Sequence, residues 1–134
     1  MNFQSLSDPQ LLDKIHRSAK IERSAGLRVL HCLREIEARD LHLKRGFASL
    51  HEYLVRELKY SDGAAHRRLN AMRLLKELPE VEARLSEGSV SLSTASQLQD
   101  FFRAEKTRNA ELPREEKAER LSAITGKSAR ETQA

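Results

Sequence analysis

At 134 residues the chain is one domain's worth, able to bury a single core but not two. Charged residues make up 33% and only 5 Gly and 3 Pro occur, which favours helices, while 4% aromatic content without Trp leaves the core to Leu, Ile, Val, Ala and Met. Lone Cys32 excludes an internal disulfide, the sequence has no apolar run of about 18 residues to span a membrane, and MNFQSLSDP has no signal-peptide character, so the expected location is cytoplasmic.

SDPQLL reads as a helix start, with Ser7 or Asp8 as cap and Pro9 in the first turn. Leu12, Ile15 and Ala19, then Leu30, Leu33, Ile36 and Leu41, continue at helical spacing. Ser24 to Gly26 leaves two readings open, a pair of helices in a hairpin or one long helix. Gly46 reads as the left-handed residue closing this region. Ser49, with Glu52 three residues on, forms a capping-box pattern before the stripe Leu50, Tyr53, Leu54 and Leu58. Ser61 caps the next helix, with Asp62 at its positive end, and Pro79 ends it near Leu78. PEVEARLSEG restarts helix and stops at Gly88, and Ser93 or Thr94 caps a helix carrying Ala95, Leu98, Phe101 and Phe102. A charged link from Glu105 to Glu111 leads through Pro113 into a helix with Ala118, Leu121 and Ile124. Gly126 ends it, and GKSARETQA reads as a further helix start. The expected fold is all-α, about seven to eight short helices with a central helix-turn-helix and a long N-terminal helical segment or hairpin. Three segments are expected: 1–45 as a helical segment and possible dimer seam, 46–104 as the helix-turn-helix core, and 105–134 as a helical extension.

Charge is unevenly placed. Between Arg56 and Lys76 six basic residues stand against Glu57 and Asp62, so this stretch carries the whole net charge of +4. A phosphate-binding face and a solvated helix surface both account for such clustering. The helices from Ser49 to Leu58 and Ser61 to Glu77 match a helix-turn-helix, the first bracing the second over a major groove. On the second, Ala65, Leu69 and Met72 form a buried stripe, while Gly63, His66, Arg67, Asn70 and Arg73 occupy the opposite arc. Arg grips guanine or phosphate and Asn reads adenine. Arg67, Asn70 and Arg73 are therefore expected to face bases or adjacent phosphates. Lys59, His66, Arg68 and Lys76 are expected at phosphates, with Ser61 at the helix start. Arg68 lies between the arcs and suits either a phosphate or an internal acid such as Glu57.

Gly46-Phe47-Ala48-Ser49-Leu50, Tyr60-Ser61, Arg67-Arg68, Leu78-Pro79, Gly88 and Ser91-Leu92-Ser93 follow one another in order. This series resembles the helical region upstream of the nuclease module in bacterial HNH endonuclease-type proteins. The opening SLSDPQLLDKI and closing EEKAERLSAITGKSARET resemble that region too, and the middle is more distantly similar to the helix-turn-helix of ParB-type partition proteins. The resemblance implies a DNA-handling part without the catalytic half, because the HNH module needs clustered His and Asn residues at a metal. Here His16, His31, His42, His51 and His66 are scattered along helical sequence and Cys32 stands alone. Isolated glycines supply no phosphate loop, and Ser122 and Thr125 have no base at a motif spacing. The expectation is a non-enzymatic module without metal or cofactor that binds double-stranded DNA, nucleoid-associated when bound and open to homodimer formation. The rival expectation is a protein-interaction or dimerisation bundle that does not touch nucleic acid.

Overall fold

A computed structural model describes residues 2–108, 111–127 and 132. Among them the chain is helical throughout and contains no strand. A 3-10 turn (Phe3–Ser5) precedes α1 (Asp8–Ala38), α2 (Leu41–Lys44), α3 (Leu50–Arg56), α4 (Asp62–Glu77), α5 (Val81–Glu87), α6 (Leu92–Arg108) and α7 (Arg114–Ile124). The all-α expectation holds, but the first helix is not short. It runs unbroken for 31 residues through Ser24 and Gly26, so the long-helix reading applies.

Local chemistry accounts for most boundaries. Ser7 Oγ accepts from Gln10 N while the Gln10 side chain accepts from Ser7 N, a complete capping box. Ser49 Oγ accepts from Glu52 N, but the Glu52 carboxylate accepts from Ala48 N and not from Ser49, so that cap differs from the expected box. Ser61 caps α4 as expected, its Oγ accepting from Ala64 N. For α6 the cap is Ser91, whose Oγ accepts from Thr94 N; the expected Ser93 or Thr94 already lies inside the helix. α6 also runs to Arg108, which shortens the expected charged link. Gly46 and Gly88 follow α2 and α5 with φ of +90° and +82°, a conformation only glycine adopts freely. The expected C-terminal helix start falls largely outside the described residues.

α4 is the central helix. Ala65, Leu69, Met72, Leu74 and Leu75 are buried, pointing in nearly every direction around it. The second half of α1 covers one side through Leu30 and Leu33, and α6 covers another through Ala95, Leu98 and Phe102. α3 and α5 pack beside α4 and α1, and α7 closes the far end through Leu121. The expected stripe Ala65, Leu69 and Met72 is therefore core, but it is one side of a helix buried on several.

The first half of α1 leaves this body. Leu11, Leu12, Ile15 and Ile21 are 45%, 61%, 59% and 68% exposed, as is Phe3 at 56%, whereas Leu30 and Leu33 are 1% exposed. Leu12, Ile15, Ala19, Gly26, Leu30 and Leu33 fall at helical spacing on one face, with Glu22 the single charge on that line. One apolar stripe thus serves as core over its second half and lies open to solvent over its first.

Candidate interaction surfaces

The arc of α4 expected to read DNA is occupied by the protein itself. Asp62, His66, Asn70, Arg73 and Glu77 recur every three or four residues and form a polar ridge. Asp62 Oδ1 accepts from His51 Nε2 of α3 at 3.1 Å, and Glu77 Oε2 accepts from Lys117 Nζ of α7 at 2.6 Å. His66 Nε2 lies 3.5 Å from Asp100 Oδ2 of α6. Arg73 Nη2 donates to Glu37 Oε2 of α1 at 3.1 Å, and Lys76 Nζ lies 3.6 Å from the same carboxylate. The ridge straps α4 to α1, α3, α6 and α7.

Asn70 corrects the sequence reading most sharply. It is 1% exposed, beneath α6, and its Nδ2 donates to Ser96 Oγ at 2.9 Å and to Asp100 Oδ1 at 3.0 Å. Its Oδ1 accepts from Arg103 Nη2 at 3.0 Å. An amide so enclosed cannot present itself to adenine. The expectation for Arg73 changes too, because its guanidinium is engaged by Glu37. Arg68 does have an internal partner, but not Glu57. Its guanidinium stacks over Tyr60 at 4.4 Å and donates to the Ala64 carbonyl at 3.0 Å, while Glu57 lies 3.7 Å from Arg45.

Two of the expected residues remain open. Arg67 has no acidic partner among the described residues, and its guanidinium lies over Gly63, where an added Cβ would come within 3.3 Å of Nη1. Lys59 is exposed at the corner before α4, with a left-handed φ of 68°. Ser61 sits beside them but is committed to capping.

The second surface is the exposed stripe of α1 and the groove into which it runs. Where α1 meets the body, Gly26, Leu27, Leu30, Leu85 and Leu92 wall a groove of about 490 Å³ beside Arg23. Arg23 lies across Gly88 and donates from Nε to the Ser86 carbonyl at the end of α5, its other guanidinium nitrogens having no partner among the described residues. Among the described residues nothing lies within 4 Å of where a Gly26 Cβ would stand, so their packing does not require glycine in mid-helix. Sequence reasoning identified this stripe as helical but had no signal for which half would be covered.

Among the described residues no group of three or more His, Cys, Asp or Glu side chains is placed to hold a metal ion. No helix there is long and apolar enough to cross a membrane. The fold is an all-helical bundle with a projecting arm. The chain belongs to the family described as Domain of unknown function (DUF222), whose model matches residues 13–133. No curated protein and no solved structure matches it.

Proposed function

We propose that this domain is a non-catalytic helical docking module, in which the body grips the second half of α1 and offers its first half to a protein partner. One observation carries the reading: a single stripe is sealed in the core at Leu30 and Leu33 and left in water at Leu12 and Ile15. Burying such side chains is worth roughly 1.5–3 kcal/mol each, so an exposed row of them is a standing drive to associate. The resemblance to the region preceding an HNH nuclease module fits a part that pairs or positions a neighbouring unit. A photo-cross-linking residue at position 15, on the stripe, should form adducts with a protein partner, whereas the same residue at position 17, on the opposite side, should not. Adducts from neither position, or equally from both, would overturn the reading.

DNA binding is the second reading, favoured by half-buried Arg67 on α4 and exposed Lys59 just before it, neither with an acidic partner among the described residues. It rests on phosphate contact, since Asn70 is enclosed and Arg73 is held by Glu37. Duplex affinity at low salt should then fall about tenfold or more in Lys59→Glu/Arg67→Glu, with a shallower salt slope. No binding at low salt, or binding indifferent to the double reversal, removes this reading.

A further inference from the structure

We infer that the occupant of the α1 stripe is a second copy of this chain, its α1 lying antiparallel and its N-terminal end entering the groove beside Arg23. This rests on the docking reading and adds the identity and direction of the partner.

Three features of the stripe point the same way. Its large side chains, Leu12 and Ile15, lie toward the start, and its small ones, Ala19 and Gly26, toward the body. Parallel pairing would set large against large and small against small. Antiparallel pairing sets large against small toward both ends, which brings the two backbones together evenly. The open space beside Gly26 is then taken by the second copy's first residues.

Charge fixes the register. Asp8 opens α1 and Arg23 stands where the helix joins the body, about 22 Å apart along a straight helix. Placing Asp8 of one copy opposite Arg23 of the other sets Leu12 opposite Ala19 and Ile15 beside His16. Two-fold symmetry makes each such contact twice. Arg23 spends only Nε on the Ser86 carbonyl, so its terminal nitrogens remain for a carboxylate.

The groove supplies what the bare helix lacks. A stable pairing commonly buries about 800 Å² per partner, more than a few exposed leucines provide. In this register Leu6 and Phe3, the latter now against Lys14 at 5.7 Å, lie beyond Asp8 on the side of the partner groove walled by Leu30, Leu85 and Leu92. The site is thus shared, with one copy giving the arm's end and the other the groove.

Sedimentation equilibrium of the full chain tests this. At about 100 µM the mass should be twice that of one chain, and Leu12→Asp/Ile15→Asp, altered only at exposed positions, should be monomeric with an unchanged helical circular-dichroism spectrum. Asp8→Lys and Arg23→Glu should each weaken association at least tenfold, and the double swap should restore it. A monomer at every concentration would overturn the self-pairing while leaving face-specific cross-links to another protein intact, and thereby the docking reading. A dimer indifferent to Leu12→Asp/Ile15→Asp, or one whose charge swap fails to rescue, would overturn the antiparallel register.

Discussion

Asn70 shows how one side chain changes the meaning of a helix. Its amide is a buried junction between α4 and α6, and replacing it strands Ser96 and Arg103. Asn70→Ala should cost about 1–3 kcal/mol in urea unfolding, whereas Arg67→Ala, which breaks no pair, should stay within about 0.5 kcal/mol. Equal effects from the two would contradict these assignments. Lys117 is the second such residue. Its side chain is 6% exposed, held by Glu77 and by Glu111 at 3.0 Å, and its ammonium lies 5.2 Å from the Phe102 ring centre. Burial pulls its pKa down, but the hydrogen bonds and charges of Glu77 and Glu111 outweigh burial and raise it above 10.5. The hydrogen bond and charge of Lys117 in turn hold Glu111 below 4.5. A depressed carboxylate contributes stability above its unfolded value and loses it as pH falls. A raised lysine contributes below its unfolded value and loses it as pH rises. The attachment of α7 should be constant between these limits and weaken at both extremes. Melting at about pH 3.5 should fall below that at pH 7, and the difference should shrink in Lys117→Met; an unchanged difference would remove this anchor from the account.

At the scale of elements, local chemistry was legible and enclosure was not. Ser7, Ser49 and Ser61 declare their caps through side chains that reach backbone only three residues away, and Pro79 and Gly88 mark the limits of α5 for equally local reasons. The stripe Ala65, Leu69 and Met72 was readable because helical spacing alone sets it. What covers the other sides of α4 depends on segments about 30 residues away, so Asn70 and Arg73 looked free when α6 and α1 already held them. Arg and Asn serve equally at a phosphate, at a base and at a neighbouring helix, and residue type alone does not separate these uses. The same limit applies to α1, where Leu12 and Leu30 look alike in sequence and differ only in what the rest of the chain can reach. Gly26 lies near the division. Gly26→Ala should strengthen the helix by about 1 kcal/mol in the dilute chain, since open space surrounds it, yet reduce association where a second helix comes close. A loss of stability in the dilute chain would show that the glycine serves the fold.

Across the whole molecule, work is divided between a body closed by its polar ridge and an arm left open. Part of the +4 charge clustered from Arg56 to Lys76 supports that closure, because Glu37 of α1 receives Arg73 and Lys76, while Arg68 stacks on the Tyr60 ring and Arg56 pairs with Glu52 of its own helix. Positive charge concentrated in sequence is thus only partly matched in space, Lys59 and Arg67 meeting no acid among the described residues. Along the arm Leu11, Leu12, Ile15 and Ile21 stay exposed, and only Phe3 has a ring contact, with Lys14 at 5.7 Å, among the described residues. Hydrogen exchange along α1 measures this division directly. In the dilute chain, amides of residues 9–21 should exchange at least about a hundredfold faster than those of residues 28–36, although both lie in one helix. Raising the concentration of a true partner should protect the first set and leave the second unchanged. Uniform protection along α1 in the dilute chain would mean that the body already holds the arm, and the docking account would fail.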